Sequence, residues 1–154
     1  MQSLRVLLTT FLGIVGAADA ALGQTIPSEG HAPVTTATLK AFLAAFNAHD
    51  LDAIMGFFAD DCEFHMPRGT EPWGTRYVGK SAVREGLATR FAGIPDVHYG
   101  EDNHWVSGDH GVSTWLLTGT AKTGEPLRVR GLDLLEFREG KIIKKDSYWK
   151  IIQK

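Results

Sequence analysis

Apolar positions follow two rhythms along the chain, first helical and then alternating. In the stretch 35–50, Leu39, Phe42, Leu43 and Phe46 recur at i, i+3, i+4 and i+7, which predicts an amphipathic helix. Thr35 or Thr36 can cap its start. Asp50 opens a second, shorter helix, LDAIMGFFA, with Leu51, Ile54 and Phe58 turned inward. DDCEFHMP (60–67) predicts a strand ended by Pro67, and 68–79 a long polar loop carrying Trp73 and Tyr77. A third helix is predicted over 80–93, with Val83, Leu87 and Phe91 on one stripe, Ser81 as cap and Gly93 at its end. Strands follow at 97–106 and 111–121, then a hairpin over 127–154. Helices followed by a meander of strands give an α+β fold, three helices packed on one face of a curved antiparallel sheet. The cavity such a sheet encloses is the default ligand site.

The last hairpin carries the chemistry. Side chains alternate between faces along a strand, so Val129, Gly131, Asp133, Leu135 and Phe137 share one face. Asp133 is a lone carboxylate in an otherwise apolar row. A two-residue turn at Glu139-Gly140 pairs Arg138 with Lys141 and Phe137 with Ile142. Regular pairing from there sets Asp133 opposite Asp146 and Gly131 opposite Tyr148. Two carboxylates and a phenol then share one patch beside a side-chain-free gap at Gly131. A slip of one residue would turn one arm's side chains to the other face.

Composition narrows the classes. The 154 residues suit one domain, 44% hydrophobic and 22% charged, with a formal net charge of -2 that speaks against an electrostatic nucleic-acid binder. The single cysteine, Cys62, excludes an intrachain disulfide and a cysteine-rich zinc site. The six histidines show no helical i, i+4 pair and no ligand motif, so no metal is expected; no Gly-rich phosphate loop is present, and no organic cofactor is expected. Residues 1–23 combine Arg5, an apolar run and Ala18-Asp19-Ala20, which reads as a signal peptide for export to the periplasm or medium. The apolar run is short for a membrane anchor. The alternative is a misplaced start or a disordered tail on a cytoplasmic protein. Residues 24–34 read as a flexible lead-in, and 35–154 as the folded domain.

The order of elements, with these residues, resembles the nuclear transport factor 2-like superfamily, in particular its SnoaL-like and ketosteroid isomerase-like members. The matching stretches are FLAAFNAHDLDAIMGFFADDCEFHMPRGTEP, YVGKSAVRE and LDLLEFREGKI, so the resemblance spans about residues 36–152. It implies a cone-shaped fold with a hydrophobic pocket and a homodimer formed through the outer face of the sheet, with Arg130, Leu132, Leu134 and Trp149 as candidate contacts. The fold hosts enzymes, binding modules and assembly domains, so it does not fix function. Against the isomerases, Met66 stands at the position of the base and Phe42 at that of the oxyanion-hole tyrosine, while Asp133 matches the second oxyanion donor. Asp133 with Asp146 resembles the late-strand carboxylates of SnoaL-like cyclases and related epoxide hydrolases.

Two carboxylates in one desolvated site cannot both ionise cheaply, so the pair would offer an acid and a base. The catalytic candidates are therefore Asp133 and Asp146, with His65 as a substitute base if a bulge before Pro67 turns it inward. Trp73, as a lid between Pro72 and Gly74, together with Tyr148, Met66, Phe42 and Trp105, are candidates to line an apolar small-molecule site. Asp146 lies among Lys144, Lys145 and Lys150, so solvent exposure is its competing placement; Asp133 paired to a cation for structure is the other. The expected activity is cofactor-independent acid/base chemistry of isomerase, cyclase or hydratase type. The alternatives are a non-catalytic binding module for a lipophilic molecule and a structural dimerisation domain.

Overall fold

A computed structural model describes residues 31–153. The stretch expected to be a signal peptide, and most of the expected lead-in, lie outside these residues. Three helices, α1 (Thr36–Asn47), α2 (Leu51–Gly56) and α3 (Lys80–Gly93), pack on a curved six-stranded sheet. The strands are β1 (Phe58–His65), β2 (Arg76–Val78), β3 (His98–Ser107), β4 (His110–Thr120), β5 (Pro126–Arg138) and β6 (Lys141–Trp149), in spatial order β2-β1-β6-β5-β4-β3. All neighbours are antiparallel except β1 and β6, which run parallel. Among the described residues no helix is long and apolar enough to cross a membrane.

Local chemistry explains the helix starts. The Thr35 N–H donates to Thr38 Oγ1 at 3.2 Å, one half of a capping box, and Asp50 accepts from the Ala53 N–H at 2.9 Å. The α1 stripe of Leu39, Phe42, Leu43 and Phe46 is buried as its spacing predicts. α2 is shorter than expected, because Phe57 and Phe58 turn out of the helix and Phe58 enters the β1–β6 ladder opposite Ile142. Gly79, at φ 85°, precedes α3 in place of a Ser81 cap. The stripe of α3 also differs: Val83, Gly86, Leu87 and Arg90 are buried, while Phe91 is half-buried against Phe46 and His49. Part of the predicted polar loop is the short edge strand β2. Its Tyr77 stacks on Phe64 and lies against Gly86, where a Cβ would stand 2.5 Å from the ring.

The core lies between the helices and the inner face of the sheet. Phe42 packs edge-on to Phe46, Phe57 and Phe58 at 5.0, 5.3 and 5.7 Å. Tyr99 bridges Phe46 and Trp115 in the same manner. Aromatic rings therefore fill much of the space between α1 and the sheet.

Candidate active site and the mouth of the cone

The hairpin turns where expected. Glu139 and Gly140 both take positive φ, 52° and 74°, and Arg138 pairs with Lys141 and Phe137 with Ile142. One residue later the ladder shifts. Glu136 pairs with Lys144, leaving Ile143 as an extra residue in a β-bulge. Every residue of β6 beyond it then faces opposite to a regular count. Asp133 meets Ser147 instead of Asp146, and Gly131 meets Trp149 instead of Tyr148.

The consequence is a different site. Asp133 is buried, and Lys145 is buried beside it, its ammonium 2.5 Å from Oδ1. The Ser147 hydroxyl donates to the same oxygen at 2.6 Å, and Trp115 Nε1–H donates to Oδ2 at 3.1 Å. Lys145 also bonds Ser147 at 2.6 Å and faces the rings of Phe64 and Phe46 at 4.9 and 5.6 Å. Asp133 thus faces an ammonium, a hydroxyl and an indole N–H, and no second carboxylate. This overturns the expectation of a carboxylic acid sharing a proton with a second aspartate. Burial pushes the Lys145 amine below its ordinary 10.5, against the opposing pull of Asp133.

Directly opposed residues continue the polar row across the sheet: His104 opposite Ser113, Ser113 opposite Asp133, Asp133 opposite Ser147. His104 Nδ1 lies 2.8 Å from Ser113 Oγ, and its Nε2 lies 2.8 Å from Asp102 at the surface. The next row is aromatic. Trp115 and Trp149 flank Gly131, and the Trp115 ring occupies the space expected to be a gap.

The other sequence candidates disperse. Asp146 and His65 lie opposite each other in the β1–β6 ladder on the outer face, with Asp146 Oδ2 4.0 Å from His65 Nδ1 and 2.9 Å from the Tyr148 hydroxyl. His65 is buried there and bonded to Glu63 at 2.9 Å. Strand alternation held through to Met66, so no bulge turned His65 inward. Tyr148 and Trp105 are exposed on that outer face, and Phe42 is core. Trp73 stacks on the Arg76 guanidinium at 4.5 Å, beside the sheet's edge, and lines neither cavity at the mouth. Met66 does line one of them. Trp149, expected on the dimer face, turns inward because of the same bulge.

The wide end of the cone is the mouth. A cavity of about 540 Å³ is bounded by Pro67, Arg68, Leu127, Val129, Trp149 and Ile151. A second, of about 200 Å³, is bounded by Met66, Arg68, Thr89, Arg90, Ile94 and Trp149. Trp149 thus stands between the two cavities, one position beyond the polar row that holds Asp133. The guanidinium carbons of Arg68 and Arg90 lie 4.8 and 4.6 Å from the centre of its ring. Lys145, Ser147, Ser113, His104 and Arg90 were not singled out from the sequence. Arg90 had a legible signal, since it completes the i, i+4, i+7 set with Val83 and Leu87.

Helices packed against a curved, unclosed six-stranded sheet give the nuclear transport factor 2-like fold. More narrowly, the SnoaL-like domain profile matches residues 39–145, and the chain belongs to that family. Similar solved structures agree on the fold. One is a protein from Xanthomonas campestris whose polyketide cyclase assignment is provisional, 20% identical over 75% of this chain and 89% of that one, with a TM-score of 0.67. A second is a protein with a ketosteroid isomerase-like fold from Catenulispora acidiphila in complex with trimethylamine, 23% identical over 77% and 88%, with a TM-score of 0.66. A third is TerC co-crystallised with polyporic acid, 19% identical over 75% and 90%, with a TM-score of 0.65.

Proposed function

We propose that the protein binds a small molecule with an apolar ring body at the mouth of the cone and performs acid/base chemistry on it without a cofactor. One observation carries this reading: an ion pair, Asp133–Lys145, is buried in the sheet interior, and Trp149, the next inward-facing residue after Ser147, separates it from a cavity large enough for such a ligand. A buried ion pair is a poor source of stability compared with a well-packed apolar pair, so structure alone gives little reason for it. Perturbed ionisable groups beside a cleft are the usual mark of a functional site. Lys145 is the proton-moving group in this arrangement. Its amine is destabilised as an ammonium by burial, whereas Asp133 is fixed as its counter-charge by Ser147 and Trp115. The ligand reaches Lys145 by displacing the Trp149 ring. Polyporic acid and trimethylamine in the similar structures support a small-molecule role, and the leader sequence supports a site of action outside the cytoplasm.

The test is α-proton exchange of 2-tetralone in D2O, followed by NMR. The wild-type protein should exchange faster than buffer, and Lys145→Met and Asp133→Asn should fall to the buffer rate. Binding of the ketone without exchange would leave a binding module. Absence of binding by this ketone and by a wider set of ring compounds would leave a structural domain.

The outer face supports a second copy as partner. Trp105, Leu134 and Tyr148 are exposed there on β3, β5 and β6, with Trp105 and Leu134 in one row across Val112 of β4. Sedimentation should show a dimer, and Leu134→Glu should shift it to monomer. A wild-type monomer at high concentration would end this part of the reading.

A further inference from the structure

The interior charges do not balance. Among the described residues the buried cations facing the cone are Lys145 and Arg90, and the one buried carboxylate is Asp133. Lys145 takes Asp133. Arg90 is 8% exposed and, among the described residues, forms no salt bridge; its guanidinium lies over the face of Trp149. An ion pair is the usual condition for burying a guanidinium, because lost hydration has to be replaced. No buried side-chain nitrogen among the described residues lacks a hydrogen-bond partner, so the Arg90 guanidinium stays open to the cavity it lines, and the ring beside it is shared with Arg68. Two like charges are therefore drawn to one aromatic ring. The smaller cavity, which Arg90 and Arg68 both line, has no acidic side chain in its wall. The larger one adds Arg128 and Lys150, with Glu125 as its single acid. Arg90 also acts electrostatically on Lys145 and Tyr99, so it belongs to the same interior.

From this we infer that the mouth is an anion site: the ligand carries a carboxylate, or an equally acidic enol, that pairs with Arg90 and Arg68 while its ring body replaces or stacks on Trp149. The inference rests on the pocket reading above and names the substrate class it left open. The planar fork of Arg90 suits a carboxylate, which can accept two parallel N–H bonds. Bound in this way, the acid head is fixed on α3 and on the loop after β1, and the ring is directed down toward Lys145. The ligand brings the missing negative charge, so a neutral isostere would leave Arg90 buried without an anion. Arg68 is exposed and solvated, and its part is to close over the bound head.

The experiment compares 2-naphthoate with 2-naphthamide, which share a ring and differ in charge, by titration of the full chain with tryptophan fluorescence and calorimetry. The carboxylate should bind about tenfold tighter than the amide, as a desolvated charge-assisted hydrogen bond implies. Arg90→Met should collapse that ratio, and Arg90→Lys should keep most of it. Thermal melts of the wild-type protein with each probe give the same comparison without any variant. Equal binding of both probes by the wild type overturns the anion site and leaves the pocket standing. A preference that survives Arg90→Met removes Arg90 from the site. Binding of neither probe removes the pocket itself, and the inference with it.

Discussion

Replacing Lys145 by methionine should cost the fold about 3–5 kcal/mol, the range for breaking a buried ion pair from one side. The reason lies in what remains. Asp133 would stay buried, with Ser147 and Trp115 as donors but no counter-charge. Replacing both partners, as Asp133→Leu with Lys145→Met, should recover most of the loss, because no charge is then left in the interior. Urea unfolding with an unchanged m-value checks both variants. If the double variant is as unstable as the single one, the pair is not the unit described above. The pH dependence has a defined sign. Lys145 is lowered from 10.5 in the folded protein, so below 10.5 the unfolded chain holds its proton more readily than the native one. Stability should therefore rise with pH between the lowered value and 10.5, and this slope should vanish in Lys145→Met. Tyr99 acts the other way. Burial pushes its phenol from 10.0 to about 12, so its contribution is complete below 10 and is lost as pH climbs toward 12. The lysine slope is best read below pH 10.

Gly131→Ala should have the second-largest effect, about 1–3 kcal/mol of overpacking, toward the upper end. A Cβ there would stand 2.3 Å from the Trp115 ring and 2.5 Å from the Tyr148 carbonyl oxygen. The ring can shift only by disturbing its bond to Asp133. The carbonyl belongs to the β5–β6 backbone and cannot retreat without opening that ladder. Adding Trp115→Phe should relieve one contact and leave the other, so recovery should be partial. Complete recovery would show that the carbonyl yields. Full stability of Gly131→Ala alone would mean that the Trp115–Gly131–Trp149 row is looser than these distances.

How far the site could be read from the sequence follows from the range of each signal. The helices were legible because Leu39, Phe42, Leu43 and Phe46, or Val83 and Leu87, reveal one face by spacing alone. The turn at Glu139-Gly140 and the placement of Asp133 on the inner face were equally local. Asp146 and Tyr148 were misplaced because their faces depend on register past the turn, and that register depends on one bulge at Ile143; His65 was left open on a bulge before Pro67, and plain alternation along β1 kept it outward. No residue near position 143 signals that bulge.

The amino-acid sequence by itself determined the element order, the α+β class, the turn and the inward carboxylate, since each rests on periodicity or turn chemistry within a few residues. Tertiary structure alone decided that Lys145 and not Asp146 meets Asp133, that Trp115 fills the space beside Gly131, and that Arg90 lines the mouth over Trp149 with no salt bridge among the described residues. Strand faces alternate with a period of two, so one inserted residue exchanges the inner and outer sets of a whole strand. The packing of β5 against β6 fixed that choice, and it set which chemistry the cone contains.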